Sequence, residues 1–142
     1  VTKINVKTRN DESGERHNIT IPDHVEILCE MASGPTVHMR ISAVTGLAPA
    51  NQVWFFGTEG TLNLDASAMK LYGGRRGDEA LSEIVIPPEK QGDWRVEEEF
   101  INAIRGLEDV THTSFEDGVK YMEFTEAVTR SAQAGTRVYL PL

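Results

Sequence analysis

Over the first 86 residues apolar and polar side chains mostly alternate one by one, and beyond them the spacing changes to three and four. Period two marks strands with one wet face and period 3.6 marks amphipathic helices, so strands come first and helices last. Ile4, Val6 and Thr8 alternate with Lys3, Asn5, Lys7 and Arg9, which predicts a strand over 1–9. The wholly polar stretch 10–17 is expected as an exposed loop. Val25, Ile27, Cys29 and Met31 then alternate with Glu26, Leu28 and Glu30. After Ser33-Gly34-Pro35, Val37, Met39, Ile41 and Ala43 alternate with His38, Arg40, Ser42 and Val44. Residues 24–45 are therefore predicted as a long antiparallel hairpin with one strongly apolar face.

Four large apolar residues, Val53, Trp54, Phe55 and Phe56, are too short a run for a helix and predict a strand covered on both faces. Gly57-Thr58-Glu59-Gly60 supplies two residues that tolerate positive φ at a reversal, and Thr61-Leu62-Asn63-Leu64 alternates as a returning strand would. Residues 51–65 thus read as a second hairpin, joined to the first by a connector over 45–50. A strand over 69–72 closed by the loop Gly73-Gly74-Arg75-Arg76-Gly77 follows, then a strand over 81–86 stopped by Pro87-Pro88. Both glycine-rich loops read as turns rather than phosphate cradles, because neither leads into a helix and neither carries the Lys-Ser/Thr of a P-loop.

Asp93 is the expected N-cap of a first helix, with Glu97, Glu98 and Glu99 near its positive end and Val96, Phe100, Ala103, Ile104 and Leu107 on one face up to a stop at Gly106. That placement accounts for the triple glutamate without chemistry. Ser114 and Asp117 form a capping box for a second helix, with Phe115, Met122, Thr125, Val128 and Ala132 on one face and a stop at Gly135. Residues 137–140 are expected as a last strand. The fold class predicted is α+β: one open-faced, mostly antiparallel sheet of about six to eight strands, with two helices packed on one face. The other face would expose Leu28, Val44, Trp54 and Phe56, and an apolar patch of that kind marks an association site, so a face-to-face homodimer is expected.

A formal charge of -8 and a pI near 5.0 exclude the basic footprint that nucleic acids require. The 142 residues suit one domain. No apolar run approaches the length of a membrane span, no leader opens the chain, and the single Cys29 suits a reducing compartment, so a cytoplasmic location is expected. The first residue is Val1 rather than Met, which suggests a segment of a longer chain. Among candidate polar groups, Arg9, Arg16 and His17 flank the 10–17 loop and are the choice for contacting a small polar substrate. Glu26, Glu30, His38 and Arg40 are expected to pair across strands, and a His-carboxylate catalytic or metal pair is the alternative there. Glu123 and Glu126 lie one turn apart with no histidine at metal-ligand spacing, so no metal site is expected.

Three pieces carry a resemblance to a known family. They are Trp54-Phe55-Phe56-Gly57-Thr58-Glu59-Gly60-Thr61-Leu62; Glu99-Phe100-Ile101-Asn102-Ala103-Ile104-Arg105-Gly106; and an ending with Asp117-Gly118, Glu126-Ala127, Ser131-Ala132, Gly135 and Val138. In that order they resemble the C-terminal domain of the Gfo/Idh/MocA oxidoreductases, the glucose-fructose oxidoreductase and inositol dehydrogenase family, from Asp23 onward. The resemblance implies the second half of an NAD(P)-dependent dehydrogenase of sugars, inositol or related polyols. The NAD or NADP site and the catalytic lysine and histidine would lie on a Rossmann half not contained here, so this chain would bind no cofactor and carry no catalytic residue. It implies a sheet domain that walls the substrate pocket and joins subunits. The competing expectation is a stand-alone small-molecule-binding or assembly module on an open sheet, using His17, His24 or His38 with Glu26 or Glu30.

Overall fold

The computed structural model describes residues 1–49, 51–111 and 113–142; Ala50, at the end of the expected connector, lies outside them. The chain divides into two compact units, Val1–Thr45 with Arg95–Leu142, and Gly46–Trp94. Each is α+β or β in content, and the class expected from periodicity holds for the chain as a whole: nine strands, mostly antiparallel, and two α-helices among the described residues.

In the first unit β1 (Thr2–Lys3), β2 (Thr8–Asn10), β3 (Arg16–Asn18), β4 (His24–Glu30) and β5 (Thr36–Ser42) form two separate sheets, ordered β1-β4-β5 and β2-β3. The predicted 24–45 hairpin is present, with Glu26 opposite Arg40 and Ile27 opposite Met39, and Gly34 takes φ +107 in its turn. The strand expected over 1–9 is broken. Buried Asp23 accepts the Asn5 and Val6 backbone N–H groups and the Asn5 side-chain amide, so residues 5 and 6 bond to a side chain instead of continuing a ladder. The expected 10–17 loop is also shorter than read, since Arg16 and His17 belong to β3.

Helix α1 (Val96–Ile104) follows Arg95, not Asp93, whose carboxylate instead accepts the Trp94 backbone N–H. It ends at Gly106, with φ +68, as expected. Helix α2 (Phe115–Ala134) has the predicted box: Ser114 Oγ accepts the Asp117 N–H and Asp117 Oδ2 accepts the Ser114 N–H, both at 3.2 Å, and Gly135 closes it in the left-handed region. Its less exposed positions are Asp117, Gly118, Glu123, Phe124, Ala127, Val128 and Ser131, which share only Val128 with the expected stripe; Phe115 is 89% and Met122 68% exposed. Residues 137–140 form no strand.

The second unit is a four-stranded antiparallel meander of β6 (Gln52–Phe56), β7 (Gly60–Asp65), β8 (Lys70–Arg75) and β9 (Ser82–Ile84). The 51–65 hairpin stands as predicted, Trp54 facing Asn63 and Phe56 facing Thr61. The expectation that β6 is covered on both faces fails: it is an edge strand and all five of its residues are exposed. Gly57 and Gly60 are not at positive φ; Gly60 is needed because a Cβ there would collide with the Gly74 carbonyl oxygen. Gly73 and Gly74 belong to β8 rather than to a closing loop, and a Cβ at Gly73 would lie 2.6 Å from Ile84 Cδ1 and 3.0 Å from Leu62 Cδ2. The glycine makes room for side chains of both neighbouring strands. The single sheet of six to eight strands is therefore replaced by three sheets of three, two and four, and helices on one face of a common sheet are not the arrangement.

Candidate functional site

The densest polar arrangement lies on the β2–β3 hairpin. Its register sets Arg9 opposite His17 and Asn10 opposite Arg16. Cross-strand partners share a face and successive residues alternate, so Arg9 and His17 stand together while Arg16 falls on the other side. There Arg16 donates through Nε and Nη2 to Thr8 Oγ1 at 3.0 and 2.8 Å. Of the three substrate candidates the fold brings two together and separates the third.

The hairpin turn is built by Asp11. Its Oδ1 accepts the Ser13 N–H, the Ser13 hydroxyl and the Glu15 N–H, at 2.9, 2.6 and 3.0 Å, and Gly14 completes the reversal at φ +87. The remaining oxygen, Oδ2, lies 2.8 Å from His17 Nε2. A carboxylate only accepts, so the ring carries a proton on Nε2. The Ser13 hydroxyl bond, followed by that from His17, holds the Asp11 carboxyl well down, at about 2. Glu15 joins this pair: one ligand atom from each of Asp11, Glu15 and His17 lies within 4.8 Å of the others. Spacing along the chain hides this cluster, because Asp-x-x-x-Glu-x-His fits no helical metal spacing and becomes local only when the turn closes.

On the β4–β5 face, Glu26 is the centre of a cross-strand group. Its Oε2 lies 2.7 Å from His38 Nε2, and its Oε1 lies 3.3 Å from His24 Nε2 and 3.4 Å from Arg40 Nε. The His38 hydrogen bond is the first cause that lowers the Glu26 carboxyl below its ordinary value. The expected cross-strand pairing of Glu26, His38 and Arg40 is present, whereas Glu30 lies 3.9 Å from Arg137 instead. Leu28, on the same face, is 76% exposed, and Val44, just past β5, is 36% exposed.

In the second unit Trp54 and Phe56 share a face of β6 and stack, with centroids 5.8 Å apart and planes 8° from parallel. Trp54 donates from Nε1 to Gln52 Oε1 at 3.1 Å. All four expected interface side chains are thus solvent-facing, Leu28 and Val44 in one unit and Trp54 and Phe56 in the other. A polar cavity of about 470 Å³ is lined by Thr58, Thr61, Arg75, Arg76 and Asp78 among others. Asp78 Oδ2 accepts the Arg75 N–H at 2.7 Å, so the loop's own carboxylate takes an amide that a bound phosphate would use.

Helix α1 opens on Arg95 and α2 on Ser114, and neither start is a glycine-rich strand-to-helix turn. No helix among them is long and apolar enough to cross a membrane. No protein-family model matches the chain, and no curated protein does.

Proposed function

We propose that this chain is the substrate-binding and oligomerisation half of an NAD(P)-dependent oxidoreductase of sugars, inositol or related polyols, working in the cytoplasm. The reading starts from the three sequence pieces that resemble the Gfo/Idh/MocA oxidoreductases. The observation that supports it is the lack of an internal core. Among the described residues Ala127 is the one buried apolar side chain, whereas Leu28, Phe56, Phe115 and Met122 are more than two-thirds exposed. Such surface is stable in water when other protein covers it.

In this reading a Rossmann half supplies the nicotinamide and the acid/base group, and the present chain holds the polyol and excludes water. Arg9 and His17, together on one face of the β2–β3 hairpin, offer polar contacts to substrate hydroxyls, with Arg9 as the donor. Leu28, Val44, Trp54 and Phe56 join two copies of the chain. Sedimentation equilibrium on the 142-residue chain, beside a variant carrying Leu28→Asp and Val44→Asp, tests the assembly. A dimeric wild type with a folded monomeric variant is expected. A monomeric wild type removes the interface and with it the support for the dehydrogenase half.

A further inference from the structure

We propose that the tip of the β2–β3 hairpin is a divalent transition-metal site, with Asp11, Glu15 and His17 as three ligands and the remaining position open to water or an external oxygen ligand. The site does not rest on the oxidoreductase reading.

The donor set is an imidazole nitrogen and two carboxylate oxygens, which suits zinc and its neighbours rather than magnesium or calcium, whose preferred ligands are all oxygen. The spacing is close to what coordination needs. Bonds of about 2.0–2.2 Å to a tetrahedral zinc put ligand atoms roughly 3.4 Å apart. His17 Nε2 and Asp11 Oδ2 stand 2.8 Å apart and the whole set falls within 4.8 Å. Small rotamer movements at the exposed tip cover the difference. The metal takes the place of the Nε2 proton that now bridges His17 and Asp11.

The backbone around the ligands is already fixed. Asp11 Oδ1 holds three donors of the turn, which leaves Oδ2 as a monodentate ligand turned toward His17, the kind of outer support that orients metal-binding carboxylates. His17 comes from β3 and Asp11 from the turn, so the ion clips the hairpin shut. Arg9, the cation cross-strand from His17, is also under the attraction of Asp23.

The test is calorimetric titration of zinc into the 142-residue chain, with cobalt absorption as a second readout. One ion per chain is expected, with a dissociation constant in the micromolar range that millimolar magnesium does not change. His17→Ala and Glu15→Gln should each weaken binding by about tenfold or more. His38→Ala, which removes the histidine bound to Glu26, should leave it unchanged. On zinc addition the amides of β2 and β3 should exchange more slowly with solvent. Absence of saturable binding, equal affinity in Glu15→Gln and wild type, or loss of binding in His38→Ala would each overturn the proposal. Because Glu15→Gln preserves shape and the turn's backbone bonds, a misfolded His17→Ala does not obscure the result.

Discussion

Glu99 is the most buried of the described residues, at 2% exposure, and it sits inside α1 among charged neighbours. Its carboxylate takes two bonds from one residue beyond the helix: Oε1 from the Thr111 hydroxyl at 2.8 Å and Oε2 from the Thr111 N–H at 3.2 Å. These bonds tether the segment between the two helices to α1. A hydrogen bond to a charged group contributes about 1.5–3 kcal/mol, and Thr111 is itself exposed, so water recovers part of the loss and the lower figure applies to each. Glu99→Ala should therefore destabilise by about 3 kcal/mol, and Glu99→Gln, which keeps one acceptor oxygen, by about half that. Against a typical total of about 5–15 kcal/mol the alanine variant is a severe change. Urea unfolding followed by far-ultraviolet circular dichroism measures it. Thr111→Val separates the tether from burial, since the double variant should cost less than the sum of the singles. A Glu99→Ala chain within about 0.5 kcal/mol of wild type, or strictly additive singles, would refute the tether.

Asp23 yields a pH dependence with a definite sign. Its carboxyl is held below the ordinary value, first by the Asn5 backbone N–H and then by that of Val6. A group lowered in the folded state stabilises above its unfolded value, near 3.9, and loses that contribution as pH falls through the folded value. Asp23→Asn should lower the melting temperature at neutral pH and converge with wild type in acid; a gap that persists at the lowest pH would contradict the assignment. Gly60→Ala should melt well below wild type, because its Cβ meets backbone on the next strand and backbone must move. Gly46→Ala, with open space around it, is the control, and equal melting of the two would show that the close approach carries no cost.

The sequence pattern disclosed the local elements better than their company. Both long hairpins and the α2 caps follow from nearest-neighbour physics: alternation sets the strand faces, and Ser114, Asp117 and Gly135 satisfy end groups that every helix leaves open. The break of the first strand was invisible, because it depends on Asp23, seventeen and eighteen residues from its partners Val6 and Asn5. The partition into three sheets was equally hidden. Alternation says which residues share a face but not which strand lies beside which, and β6 reads as interior from composition while standing at an edge. The candidate site follows the same division. Arg9, Arg16 and His17 lie close together in sequence, but the pleat puts Arg16 on the opposite side from the other two. Glu15 comes near His17 only because the turn closes, which spacing along the chain does not reveal.

The edges and faces left open bear on how the chain is stabilised. Two-stranded ribbons such as β2–β3 are marginal in water, and short sheets gain from an apolar face that is covered. Here Trp54, Phe56, Leu28 and Phe115 each leave about half or more of their surface in solvent. Burying one such side chain fully is worth about 1.5–3 kcal/mol, so covering several rivals the entire stability of an ordinary domain. Stabilisation by a binding partner grows with its concentration over the dissociation constant, so any protein that covered these side chains would raise the melting temperature of this chain. The polar network at Glu99, Asp23 and Asp11 then has a distinct role. These carboxylates fix backbone segments by short hydrogen bonds that need no apolar neighbour, and so hold α1, the start of β4 and the β2–β3 turn in shape although the apolar faces are exposed.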